Sequence, residues 1–194
     1  MALAFFDLDG TLTRFDTFVP YCLLSLFYRP RRVFALKPLL KACINFFRGR
    51  IDRQDLKETF LVAFLEGARR NDIELFNREF FRFILLWIIR EEMIEKMRLH
   101  KQAGDQVYLV SASPDVYLDT LAREWKLVGV ICTKLEWKNG LLTGKILGKN
   151  CRGHEKGVRI RELFSEIELE GSFAYGNKNE DQELLELVTF GTEV

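Results

Sequence analysis

Short apolar runs recur along the chain, and several break abruptly into polar residues. Residues 3–6 (LAFF) are apolar without interruption, as in a strand buried on both faces, and they run straight into Asp7-Leu8-Asp9-Gly10. Residues 107–110 (VYLV) repeat the pattern and end in the turn-like SASP. Residues 172–176 (SFAYG) repeat it again and end in NKNED. Residues 128–137 (VGVICTKLEW) read as one further strand, and Asn139-Gly140 before LLTGKI predicts a hairpin. Residues 189–194 (TFGTEV) read as a last edge strand with no closing helix after it.

Between residues 16 and 100 the period changes. Phe60, Phe64 and Leu65 recur at helical spacing, as do Ile73, Phe76, Phe80, Phe83, Ile84, Trp87 and Ile88. Pro20, Pro30 and Pro38 divide the early part into several shorter helices. Further helices are predicted from about Asp115 to Trp125, over HEKGVRIRELF, and over DQELLELV. Strands alternating with helices predict an α/β fold, with a Rossmann-like parallel sheet covered by helices on both faces. The sheet core would use residues 1–15 and about 91–194, and residues from about 16 to 90 would form an inserted all-helical cap.

Composition narrows the function classes. Apolar residues make up 48% and charged residues 29% of 194, which is ordinary for a folded globular chain and excludes a disordered one. The net charge of +1 gives no overall signal for a polyanion, and no nucleic-acid motif is present, so nucleic acid is not expected. The longest uncharged apolar stretch, TFVPYCLLSLFY, is too short to span a bilayer. An acidic motif beginning at Asp7 argues against a leader peptide, and the expected location is cytoplasmic. Cys22, Cys43, Cys132 and Cys151 are widely spaced and read as reduced thiols. Cys151 and His154 form a lone C-x-x-H that lacks the second pair a zinc site needs.

Candidate chemistry sits where the apolar runs end. In an open parallel sheet, ligands bind beyond the carboxyl ends of the strands. That rim would receive Asp7, Asp9 and Thr11 from the first run, Ser111, Ala112 and Ser113 from the second, and Asn177 and Asp181 from the last. Lys156 lies in a polar stretch just before a helix. Alternate residues of an extended chain share a face, so Asp7 and Asp9 can address one site while Leu8 turns inward. Two close carboxylates repel, which should raise one pKa and divide the pair into an ionised nucleophile and a protonated acid. A magnesium ion held by hard oxygens would offset their charge. A calcium loop is excluded, because it would need glycine at Leu12 and glutamate at Phe18.

FFDLDGTLT, YLVSASPDVYL, GKNCRGHEKGVRI and AYGNKNED resemble, in order, the four motifs of the haloacid dehalogenase superfamily of phosphatases. A helical insert directly after the first motif is similar to the phosphoserine-phosphatase-like branch, and closest to bacterial members that include phosphatidylglycerophosphate phosphatases. The resemblance implies an attacking Asp7, a proton-transferring Asp9 and a charge-neutralising Lys156. It implies phosphoryl or substrate binding by Thr11, Ser111, Ala112, Ser113 and Lys156. It implies Mg2+ held by Asp7, the Asp9 carbonyl, Asn177 and Asp181. The chain departs from the family in carrying Asn177 where aspartate is usual and Lys178 where serine or glycine is usual, which implies weaker metal binding.

Residues 29–53 hold eight basic residues against Asp52 alone, interleaved with aromatic residues. They read either as a solvated cap face or as a surface resting on an anionic membrane, which would make the protein peripheral to the inner membrane face. The expected activity is Mg2+-dependent hydrolysis of a phosphomonoester through an aspartyl-phosphate, on a phospholipid head group like that of phosphatidylglycerophosphate. A small soluble metabolite such as phosphoserine is the alternative substrate, and a phosphotransferase would share the motifs. An attenuated, non-catalytic module docking on membrane or protein is the rival from another class.

Overall fold

Strand β1 (Leu3–Phe6) lies between β2 (Gln106–Pro114) and β6 (Phe173–Gly176) in the computed structural model. The structure describes residues 1–194 apart from the side chains of Lys178 and Asn179, so the expectation that Lys178 competes with a metal lies outside the described residues. With β3 (Gly129–Thr133) beyond β2 and β7 (Phe190–Glu193) beyond β6, five strands form one parallel sheet in the order β3-β2-β1-β6-β7. Alternation along β1 explains its unbroken apolar run. Ala4 and Phe6 enter one hydrophobic cluster and Leu3 and Phe5 the other, so both faces of the strand are buried. The α/β expectation therefore holds, and TFGTEV does form an edge strand.

Five helices, α1 (Phe18–Tyr28), α2 (Leu36–Phe47), α3 (Arg53–Leu65), α4 (Arg70–Phe80) and α5 (Leu86–Ile88), fill the stretch after β1. Pro20 and Pro38 fall in the first turns of α1 and α2, where a missing N–H costs no helical bond. The two ends of this stretch are stitched together. Arg14 N–H donates to Ile88 O at 2.7 Å and Arg90 N–H to Leu12 O at 2.9 Å. The chain then continues through α6 (Glu91–Gln102), α7 (Asp115–Glu124), α8 (His154–Leu163), α9 (Glu166–Leu169) and α10 (Lys178–Leu187).

One expectation needs correcting. Residues 128–137 are not a single strand: Thr133 pairs with Pro114 in the main sheet, whereas Leu135 pairs with Ile146 in a separate antiparallel hairpin. The chain changes sheets at Lys134, and Leu135 N–H leaves the ladder to donate to Asp115 Oδ1 at 3.2 Å. The hairpin itself, β4 (Leu135–Lys138) and β5 (Leu141–Ile146), turns at Asn139 and Gly140, both with positive φ, as the Asn-Gly signal predicts. It packs on α3 at Gly144, where a Cβ would lie 2.7 Å from the Val62 backbone.

Candidate active site

Asp7 follows β1 directly and is 3% exposed. Its N–H still donates to Tyr175 O at 2.9 Å, so the sheet ladder fixes its backbone. The next residues make a tight turn, Leu8–Leu12, in which Gly10 adopts φ +85. Leu8 is buried, and Asp7 and Asp9 line the same cavity. The predicted alternation is therefore realised.

Asp9 is held by a set of hydroxyls. Its Oδ1 accepts from Thr17 N–H at 2.7 Å and from the Thr17 hydroxyl at 2.6 Å. Its Oδ2 accepts from Ser113 Oγ at 2.6 Å and, at 3.4 Å, from Ser111 Oγ. Ser111 Oγ in turn accepts Ser113 N–H at 3.0 Å. The two serines thus orient Asp9. Ala112, between them, uses its carbonyl to accept from Lys57 Nζ at 2.8 Å and Thr133 Oγ1 at 2.5 Å.

Lys156 stands in the first turn of α8 with its side chain 3% exposed. Its Nζ donates to Asp7 Oδ1 at 2.6 Å and to Asp181 Oδ1 at 2.5 Å. Burial alone would lower its pKa, but the two carboxylates outweigh burial and raise it. Asp7 moves the other way from an ordinary carboxyl. Burial raises it to about 7, opposed by Lys156 and reinforced by Asp181 and Asp9. The raised member of the expected pair is therefore Asp7, and burial rather than repulsion from Asp9 is the main cause.

Asp181 packs against Gly176 so closely that a Cβ there would lie 2.6 Å from the Asp181 Cβ. Its second oxygen accepts Asn177 N–H at 2.9 Å. Asn177 caps α10, its Oδ1 accepting from Glu180 N–H at 3.1 Å, while its Nδ2 reaches the Asp9 carbonyl at 3.4 Å.

These contacts test the fit of a metal ion. Asp7 Oδ2 is buried with no hydrogen-bond partner, as an oxygen awaiting a cation would be. The Asp9 carbonyl and Asn177 meet close by. Asp181 fits the role less well than the sequence implied, since Lys156 and Asn177 N–H already occupy both its oxygens. Among the described residues no group of three or more His, Cys, Asp and Glu could hold a metal, so the protein set would be small. Magnesium tolerates that, because it keeps waters and shares substrate phosphate oxygens. Asp7 Oδ2 and the Asp9 carbonyl fit the ion. Asn177 can add an oxygen only by turning its amide and abandoning its cap.

A cavity of about 490 Å³ opens over these groups. Asp7, Asp9, Ala112, Ser113 and Lys156 are in its wall, whereas Thr11, Ser111, Asn177 and Asp181 are not. Thr11 is fully buried and its hydroxyl has no partner. The opposite wall comes from the helical stretch and is largely aromatic and aliphatic, with Phe18, Phe46, Phe47, Leu56 and Phe60, alongside Asp16 and Arg53. Lys57 on α3 bridges the two walls, donating to Asn150 Oδ1 at 2.9 Å as well as to Ala112 O, and burial lowers its pKa to about 8.

Sequence reasoning missed three contributors. Thr17 stands immediately before an apolar helix and serves Asp9. Tyr117 lies beneath it, its hydroxyl 2.9 Å from Thr17 Oγ1 and fully buried. Lys57 carried no local signal, because its partners are 55 and 93 residues away.

The family model for haloacid dehalogenase-like hydrolases matches residues 4–186. Protein CicA of Caulobacter vibrioides is 33% identical over 185 residues, covering 94% of this chain and 81% of that protein. Phosphoserine phosphatase SerB1 of Mycobacterium tuberculosis is 28% identical over 201 residues, covering 100% of this chain and 64% of that protein. Among solved structures, a protein of unknown function from Bordetella pertussis Tohama I is similar with a TM-score of 0.79 at 26% identity, over 97% of this chain and 87% of that one. With a match that runs from the first strand into the last helix, the chain belongs to the haloacid dehalogenase-like hydrolase family and is one of its phosphatases.

Proposed function

We propose that the protein is a Mg2+-dependent phosphomonoesterase working through an aspartyl-phosphate on Asp7, with residues 16–90 as the cap that selects substrate. The observation that carries this reading is the buried cluster of Asp7, Lys156 and Asp181 beneath a cavity shared with Asp9. An Asp7 oxygen attacks phosphorus, and the bond from phosphorus to the leaving oxygen breaks. Asp9 gives that oxygen its proton. A water then attacks the aspartyl-phosphate, Asp9 takes the water proton, and Asp7 is released with inorganic phosphate. Lys156 remains charged throughout and neutralises the phosphoryl oxygens. A magnesium ion on Asp7 Oδ2 and the Asp9 carbonyl, with Asn177 turned toward it, would add positive charge where the transferring phosphoryl group develops negative charge.

The substrate we favour is a phospholipid head-group monoester of the phosphatidylglycerophosphate kind. The aromatic wall opposite Asp7 suits a substrate with an apolar body. Phosphoserine, with no apolar body, is a poorer fit to that aromatic wall, although Arg53 in the wall would suit its carboxylate. No helix among the described residues is long and apolar enough to cross a membrane. The location that accompanies this reading is cytoplasmic, at the inner membrane face. The amide at Asn177 favours a second reading in which metal binding is weak and turnover attenuated.

Phosphate release from an aryl phosphate, measured with Mg2+ and with chelator for wild type and Asp7→Asn, tests the reaction. Release that needs Mg2+ and Asp7 supports it, and release equal in both proteins would sink it. Comparing phosphatidylglycerophosphate with phosphoserine then tests the substrate.

A further inference from the structure

We propose that the outer face of α1 and α2 is a docking surface for an anionic lipid bilayer, a proposal that deepens the phospholipid reading above and rests on it. On α2, Leu36, Leu40, Ile44 and Phe47 recur at helical spacing and are all exposed, Leu40 at 65% and Phe47 at 86%. On the other side of the same helix, Leu39 and Ala42 are buried. The helix is therefore apolar on both sides, and only the inner side is covered. A helix whose outer face meets water carries polar residues there. Leu23 and Phe27 on α1 are exposed as well, as is Phe34 in the turn between the helices, with Phe27 83% and Phe34 81% exposed.

Charge identifies the occupant. Lys37, Lys41 and Arg48 each follow an apolar stripe residue by one position and are exposed, and Arg31 and Arg50 extend the set. No acidic residue occurs between Asp16 and Asp52. A second copy of the chain would bring like charges together. An anionic bilayer accepts both features at once, with aromatic and aliphatic tips at the acyl boundary and cations at the head-group phosphates. Phe47 belongs both to the exposed stripe and to the wall of the active-site cavity. The docking face is thus continuous with the place where the substrate phosphate is cleaved, which an acidic protein partner would have no need of.

The test is co-sedimentation of the full chain with vesicles of phosphatidylcholine alone and with added phosphatidylglycerol, at low and high salt. Binding is expected only with phosphatidylglycerol and should weaken with salt. At about fivefold per cation, Lys37→Gln with Lys41→Gln and Arg48→Gln should weaken binding about a hundredfold. Phe27→Ser with Phe34→Ser and Leu40→Ser should weaken it by removing the inserted tips. Both triple variants should keep wild-type turnover of a soluble aryl phosphate, because none of these residues lines the cavity. Absence of binding to phosphatidylglycerol vesicles, binding unchanged in both variants, or a wild-type dimer that only the serine variant dissolves would overturn the proposal. A wild-type chain that fails to bind the vesicles yet turns over the aryl phosphate overturns the docking face alone, while a wild-type chain that binds them without Mg2+-dependent turnover overturns the hydrolase reading alone.

Discussion

Thr17 holds Asp9 twice, its backbone N–H at 2.7 Å and its hydroxyl at 2.6 Å on the same carboxylate oxygen. Thr17 stands immediately before α1, so the helical stretch begins by orienting the carboxylate proposed to move protons. Since the Thr17 proton is spent on Asp9, the Tyr117 hydroxyl donates to Thr17 and anchors the arrangement to α7. Thr17→Val keeps the backbone bond and removes the hydroxyl bond to Asp9, which becomes a charged acceptor once it has given up its proton, a bond worth about 1.5–3 kcal/mol. The expected outcome is a tenfold to hundredfold fall in kcat, roughly, with KM little changed, and recovery in Thr17→Ser. Steady-state kinetics of the three proteins decide it; a normal kcat in the valine variant would show that the N–H alone suffices.

Asp7 makes a prediction about stability as well as rate. Its folded pKa of about 7 lies above the ordinary 3.8 because burial disfavours the anion. A carboxyl raised in this way contributes stability that is fully present below its unfolded pKa and lost as pH rises through its folded pKa. Metal-free protein should accordingly lose stability as pH rises from about 4 to about 7 and level off above that, and Asp7→Asn should lessen that loss. The same variant should release phosphate only at background, since an amide is no nucleophile here. Melting temperatures in chelator across this range, for both proteins, provide the check. A wild type that gains stability relative to the variant as pH rises would refute the argument.

Asn177 cannot cap α10 and ligate a cation with the same oxygen. In Asn177→Asp one oxygen can keep the bond from Glu180 N–H while the other faces the Asp9 carbonyl, with an added charge. The Mg2+ concentration for half-maximal activity should fall by about tenfold, in line with the way ligand charge tunes hard-cation sites. Mg2+ titration of phosphate release measures it directly. An unchanged midpoint would mean that Asn177 takes no part in holding the ion.

How much of this was legible in the sequence depended on range. Strand β1 and its acid pair were readable because burial on both faces and the two-residue alternation are local properties of LAFF-DLD. The Asn139-Gly140 turn was equally local. The break at Lys134 was not, since nothing in VGVICTKLEW marks where the chain leaves one sheet for another; that is decided by Asp115, twenty residues back, which binds the Leu135 N–H. Lys156, Asp7 and Asp181 could be placed on one rim by topology, but that Lys156 takes both oxygens nearest it, leaving Asp181 little room for a metal, is a matter of side-chain geometry. The exposed stripe on α2 was hidden by its own composition: apolar residues at helical spacing look the same whether they face a core or open solvent.

Lys57 supplies the last prediction, because it joins the two walls of the cavity and titrates near neutrality. Its Nζ donates to Ala112 O and Asn150 Oδ1, and burial lowers its pKa to about 8 against the pull of Asp9 and Asp16. Below about 8 the ammonium is charged and attracts a phosphate dianion; above it the charge is lost. The free-enzyme profile, kcat/KM against pH, should therefore fall as pH rises through about 8. Lys57→Met should remove that limb and lower kcat/KM at neutral pH to roughly the alkaline wild-type value, chiefly through KM. It should fold, because Thr133 Oγ1 still donates to Ala112 O, and Asn150 lies in the cavity wall, where water can replace the donor its Oδ1 loses. Lys57→Arg keeps the charge at all accessible pH and should lose the limb without the neutral-pH deficit. A limb that persists in Lys57→Met would assign it to another group and leave Lys57 as a strut between the walls.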